Sequence, residues 1–217
     1  ATLDFYRQVV EFATEHDLFI LSDLAYAEVY FGDTPSPSML QVDGARERTI
    51  EFTSMSKTYS MAGFRVGFAA GSERLVAALA RVKSYLDYGA YTPVQVAACA
   101  ALDGPQDCVD EMRAIYKHRR DVLVESFGRI GWKIPVPEAS MFAWAPLPAG
   151  CEAMGSLEFA KQLMEEARVA VAPGIGFGEH GEGFVRLALV ENEQRIRQAA
   201  RGVGEFLRTR QPAIRAV

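Results

Sequence analysis

The chain has 217 residues, enough for one large domain or two small ones at about 100–200 residues per domain. Hydrophobic residues make up 49% and charged residues 24%, an ordinary globular composition that can bury a core without disulfide or metal staples. The net charge is −5 and the basic residues are scattered, which excludes the basic stripe of a nucleic-acid-binding surface.

The opening stretch LDFYRQVVEFATEH, residues 3–16, places Phe5, Val9, Phe12 and Ala13 at helical spacing, with Thr2 as the N-cap. The apolar run LFILS, 18–22, reads as a strand covered on both faces. Residues 49–53 and 64–70 read as two more strands, the first reached through a polar loop with Pro35 and Pro37. Helices are expected at about 72–86 and 93–102. Gly104-Pro105 breaks the chain, and a long helix follows over about 106–130. Beyond it come strands at 132–135 and 141–146, a helix at about 156–167, a strand at 169–172, a glycine-rich loop, a strand at 184–190 and a final helix over about 192–208. Phe142 and Trp144 alternate with smaller residues and read as core. The pattern predicts an α/β chain in two domains: a layered mixed sheet in 1–104 and a smaller α+β domain in 105–217.

Cys99, Cys108 and Cys151 are odd in number, lack metal-site spacing and read as reduced, mostly structural thiols of a cytoplasmic protein. No apolar run is long enough to span a bilayer. Ala1 leads straight into an amphipathic stretch, so the expectation is a chain without a signal peptide, cut from something longer. His16, His118 and His180 show no metal-ligand spacing, and no metal is expected.

Two segments carry chemistry. SMSKTYSMAGFRVG, residues 54–67, follows a strand, is rich in hydroxyls and holds one lysine, Lys57. Ligands of open α/β sheets bind at strand ends, although an arbitrary lysine there is usually just a solvated loop residue. Asp23 closes the preceding strand, where an aspartate alone is more often a turn or cap residue. Together the two meet a specific need. Pyridoxal 5'-phosphate (PLP) acts as an electron sink only while its ring nitrogen is protonated. A carboxylate against that nitrogen favours the protonated form, and a lysine must meet the aldehyde. Asp23 and Lys57, at neighbouring strand ends, could supply both.

The stretches SDLAYAEVYF, SMSKTYSMAGFRVGF, PVQVAACAAL, VAPGIGFGEHG and VRLALVENEQRIRQA, in this order, resemble the C-terminal part of class I/II, fold-type I PLP-dependent aminotransferases, closest to the alanine (glutamate–pyruvate) branch. The resemblance covers nearly the whole chain. It implies part of the PLP-transferase large-domain mixed sheet followed by a small C-terminal domain. It also implies Lys57 as the Schiff-base lysine and proton shuttle, Asp23 as partner of the ring nitrogen, and Tyr26 as donor to the ring's 3′-oxygen. Ser54 and Arg65 are implied as phosphate ligands, a role suited to a guanidinium fork. Arg186 is implied as the clamp on the substrate α-carboxylate, where the residues alone allow a structural salt bridge instead. Tyr91 falls in a region that often lies near the dimer interface in this family, and it reads equally well as an ordinary tyrosine.

The implied activity moves an amino group between an α-amino acid and a 2-oxo acid, with alanine/pyruvate and glutamate/2-oxoglutarate as the pairs and a homodimer as the full-length assembly. The glycine/serine phosphate turn, the ring-stacking aromatic and the asparagine of such relatives are absent here, so weak PLP binding by this chain alone is expected. Two other classes compete. Ser54-Met55-Ser56-Lys57 has the Ser-x-x-Lys spacing of certain hydrolases, but without the companion Ser-Asp-Asn and Lys-Thr-Gly motifs. A non-catalytic aminotransferase-like domain that senses PLP or an amino acid is the other.

Overall fold

The computed structural model describes residues 1–210. The chain divides into two compact units, Ala1–Arg113 and Ala114–Val217.

In the first unit, helix α1 (Leu3–Glu15) starts where the Thr2 hydroxyl accepts the Phe5 N–H at 3.2 Å, the side-chain cap that satisfies an otherwise orphan donor. Its Val10 and Ala13 turn inward and pack with Ile20, Met39 and Ala45. Strand β1 (Ile20–Asp23) lies parallel to β2 (Thr49–Ser54), and β3 (Gly67–Gly71) pairs with β2 antiparallel, giving the order β1-β2-β3. The loop between β1 and β2 is fastened by Glu51, a buried carboxylate of β2. It accepts from the Ser22 hydroxyl at 2.9 Å, the Ser38 hydroxyl at 2.5 Å and the Met39 N–H at 2.9 Å. Those bonds offset the desolvation that an unpaired buried charge would suffer. After β2 comes a single helical turn, α2 (Met55–Thr58), and after β3 the helices α3 (Glu73–Leu86) and α4 (Thr92–Asp103). Helix α5 (Asp107–Arg129) begins in this unit and carries the chain into the next.

The second unit contains strands β4 (Phe142–Pro146), β5 (Ala172–Pro173) and β6 (Phe184–Ala188), all antiparallel, in the order β4-β6-β5. Helix α6 (Ser156–Gln162) runs into one π-helical turn (Leu163–Ala167), and α7 (Glu193–Arg210) closes the described chain. The core is aromatic. Trp132 meets Phe127 and Phe159 edge-on at 5.4 and 5.6 Å, and Phe159 meets Phe206 at 5.9 Å. Such pairs contribute about 0.5–1.5 kcal/mol each beyond area burial. The Trp132 indole N–H is satisfied by the Pro146 carbonyl at 2.8 Å. Among the described residues no helix is long and apolar enough to cross a membrane.

The structure corrects several expectations. Residues 132–135 form no strand. Trp132 and Ile134 are buried there as anchors of an extended segment, and Pro135 and Pro137 bracket Val136 beyond them, where ladder donors are missing. The strand expected at 169–172 is only Ala172–Pro173, because Arg168 takes a left-handed conformation (φ 57°) that ends the π turn. β3 starts at Gly67 rather than 64, since Arg65 is also left-handed (φ 55°) and interrupts extended geometry. β1 is covered on one face only: Ile20 and Ser22 are buried, while Leu21 is 73% exposed. Trp144 is not a core residue but is 38% exposed. Cys99 and Cys108 are exposed, and only Cys151 is buried.

Candidate active site

Parallel pairing of β1 with β2 sets Asp23 opposite Phe52, so the end of β1 and the end of β2 lie on the same side of the sheet. Asp23 is the last residue of β1; its carboxylate accepts the Ala25 N–H at 3.1 Å, which turns the chain sharply and keeps the side chain at the strand end. Ser54 is the last residue of β2 and directly precedes α2, whose third residue is Lys57. The Lys57 ammonium donates to the Ser54 hydroxyl at 3.3 Å and lies 5.6 Å from the centroid of the Tyr26 ring. Antiparallel pairing sets Ser54 opposite Gly67, and the Met55 N–H donates to the Val66 carbonyl at 3.2 Å. This draws the residues just before β3 to the same end of the sheet. Arg65 is one of them. Its left-handed backbone is uncommon for a non-glycine residue, and its side chain, donating to the Ala62 carbonyl at 3.1 Å, is exposed.

Asp23, Tyr26, Ser54, Lys57 and Arg65 therefore all emerge from one end of a three-stranded sheet. Among the described residues Asp23, Lys57 and Arg65 make no ion pair with protein. The tyrosine nearby in sequence, Tyr59, has a different role: its hydroxyl donates to the Gln106 side chain at 2.8 Å, and burial pushes its pKa up. Tyr91 is 74% exposed at the start of α4.

Arg186 belongs to the second unit. It stands on β6, opposite Trp144 of β4 and Ala172 of β5. Its guanidinium carbon lies 4.2 Å from the Phe142 ring centroid and 4.6 Å from that of Phe177. It is half-buried and makes no ion pair among the described residues. Among the described residues the salt bridge that the sequence alone allowed is not formed, and two aromatic rings lie against the guanidinium. Sequence reasoning missed both rings, having read Phe142 as core and 173–178 only as a loop. The readable signal was an aromatic residue set among glycines in GIGFG.

The fold is that of the fold-type I PLP-dependent aminotransferases. The model of the class I and II aminotransferases matches residues 1–203, and the chain belongs to that family, whose members are PLP-dependent. It is 65% identical over 207 residues to AatC of Rhizobium meliloti (strain 1021), whose name places it among the aminotransferases, covering 95% of this chain and 51% of that protein. Similarity to the glutamate-pyruvate aminotransferase AlaC of Escherichia coli (strain K12) is 52% identity over 206 residues, covering 95% of this chain and 50% of AlaC. Among solved structures, substrate-bound BacF from Bacillus subtilis superposes with a TM-score of 0.90 at 32% identity, covering 95% of this chain and 52% of BacF. The aromatic aminotransferase from Pyrococcus horikoshii OT3 gives 0.91 at 29% identity, covering 97% of this chain and 57% of that enzyme. The chain spans about half the length of the curated relatives it matches.

The residues at the sheet end fit the family's cofactor chemically. PLP presents a basic ring nitrogen, an aldehyde and a phosphate dianion. A carboxylate, a primary amine and a guanidinium, all lacking a protein counter-ion among the described residues, are the complementary set.

Proposed function

We propose that the protein containing this chain is a PLP-dependent aminotransferase that exchanges an amino group between an α-amino acid and a 2-oxo acid, with alanine/pyruvate and glutamate/2-oxoglutarate as its pairs. The observation that carries this reading is the convergence of Asp23, Lys57 and Arg65, each without an ion-pair partner among the described residues, on one end of the β1-β2-β3 sheet. Similarity to AlaC favours the alanine/glutamate pairs.

When bound, PLP supplies an electron-withdrawing ring that stabilises negative charge at the substrate Cα. The chain's own residues divide the remaining work. Asp23 holds the proton on the ring nitrogen, because its charge favours the protonated form. Lys57 would supply the primary amine that faces the aldehyde, and its Nζ is placed to take the proton from the substrate Cα. The Ser54 hydroxyl and the face of Tyr26 fix where that Nζ can sit, and the Tyr26 hydroxyl is assigned to the ring's 3′-oxygen. Ser54 and Arg65 are assigned to the phosphate, Arg65 contributing a rigid fork of donors. Arg186 is assigned to the substrate carboxylate. On this reading residues 1–104 are the C-terminal part of the PLP-binding domain and residues 105–217 a small C-terminal domain of a cytoplasmic homodimer.

The 3.3 Å contact between Lys57 and the Ser54 hydroxyl is also what a Ser-x-x-Lys hydrolase would need. Membership of the aminotransferase family and the missing Ser-Asp-Asn and Lys-Thr-Gly motifs weigh against that reading. The test is a half-reaction. The intact protein loaded with PLP and given alanine should release pyruvate, and Lys57→Ala should not. Pyruvate release at the normal rate by Lys57→Ala would overturn the proposal.

A further inference from the structure

We propose that Phe142 and Phe177 are positioning residues for Arg186, and that a Ser156–Glu182 staple holds the loop that presents Phe177; this rests on the reading of Arg186 as the substrate-carboxylate ligand. The guanidinium carries five N–H donors in its own plane. Among the described residues it spends none of them on a hydrogen bond or an ion pair, although the side chain is half-buried. What it does touch are two aromatic faces, at 4.2 and 4.6 Å. Contacts of this kind attract the cation through the ring quadrupole while leaving the in-plane donors available. A carboxylate at the edge of the group can therefore be met without first breaking a salt bridge. A lone flexible arginine would have to be ordered as it bound, and prior ordering removes that cost.

Both rings are themselves held. Phe142 is fixed as the first residue of β4, paired opposite Ala188. Phe177 sits on the loop between β5 and β6, where the edge of the Trp144–Phe177 pair (5.5 Å) and the stacking of Trp144 on Phe184 (5.6 Å) support it. The loop is closed on itself by glycine: a Cβ on Gly174 would lie 1.9 Å from the Gly181 carbonyl oxygen and 2.6 Å from that of Phe184. It is tied to the start of α6 at both ends. The Ile175 N–H donates to the buried Ser156 hydroxyl at 3.1 Å, and that hydroxyl donates to Glu182 at 3.0 Å. The other Glu182 oxygen accepts the Ser156 N–H at 2.6 Å and the Gly183 N–H at 2.9 Å. Those two backbone donors hold the Glu182 carboxyl below its usual range.

The experiment uses the intact PLP-loaded protein, with alanine as substrate and propionate, a carboxylate without an amino group, as the binding probe. Phe177→Leu and Phe142→Leu should each raise the KM for alanine and the calorimetric dissociation constant of propionate together, by roughly fivefold to tenfold. The kcat should change less than twofold, the signature of lost uniform binding. Phe177→Tyr should restore both constants. Arg186→Lys serves as the reference. If it leaves propionate affinity unchanged, the carboxylate assignment falls and this inference with it. If Arg186→Lys weakens propionate but both leucine variants bind it like the parent, only the positioning role is overturned.

Discussion

The two units set their candidate residues in different surroundings. In Ala1–Arg113 the candidate residues stand at the open end of a small sheet, and large apolar side chains of the same unit face solvent: Leu21 at 73%, Tyr85 at 77% and Leu86 at 76% exposed. The second unit closes around interlocked aromatic rings, and its candidate arginine meets two more. The difference teaches that the first unit's candidate residues stand at an open sheet end without a protein ion pair among the described residues, whereas the candidate arginine of the second already meets two rings.

Removing the Asp23 charge is the most severe way to probe the first side of that contrast. Asp23→Asn in the intact protein should lower kcat on the order of a hundredfold or more, since a preorganised charge at the reacting group is lost, while the far-ultraviolet circular dichroism stays unchanged. An exposed strand-end carboxylate has little structural work to do, so a loss of fold instead would contradict its assignment.

The second side is broken from within its core. Phe159 is fully buried among Trp132, Phe206 and their neighbours, and Phe159→Ala should cost about 3–5 kcal/mol in denaturant unfolding of this unit. Tyr85→Ala, at an exposed position of the first unit, should move the unfolding of the isolated chain by no more than about 0.5 kcal/mol. Equal effects would erase the distinction between a closed core and an open face. Gly174→Ala should destabilise by roughly 1–3 kcal/mol, because its methyl cannot fit without backbone movement.

A smaller, pH-dependent effect sharpens the picture of the loop staple. The folded-state pKa of Glu182 is lowered, chiefly by the Ser156 N–H and then the Gly183 N–H. A lowered carboxyl contributes stability that is present above its unfolded pKa and is lost as pH falls through the folded one. Glu182→Gln should thus lower the unfolding midpoint at neutral pH, and the difference from the parent should shrink on acidification. A difference that is constant with pH would show that the carboxylate charge plays no part.

Much of this was legible in the sequence, for physical reasons that differ by residue. The long helices follow from their periodicity, and Thr2, Gly104 and Pro105 mark their ends. Asp23 and Lys57 could be considered together in advance because strand ends in a parallel pair fall together; the register sets Asp23 opposite Phe52, and Lys57 follows on the turn after β2. What sequence could not show was conformation set by tertiary context. The left-handed Arg65 and Arg168 cut two strands short, and the tryptophan at 132 was buried by packing without any strand. Nor could it show that Arg186 would be met by rings: Phe177 is nine residues away in sequence, and only the glycine-closed loop returns it to β6.

The central claim is that the amine at position 57 bonds the cofactor's aldehyde. Reduction of the PLP-loaded intact protein with borohydride, followed by peptide mass mapping, tests it most directly. The phosphopyridoxyl mass should appear on the peptide containing Lys57 and nowhere else on this chain. Finding it on Lys83, Lys117, Lys133 or Lys161, or on none of the five lysines, would contradict the account.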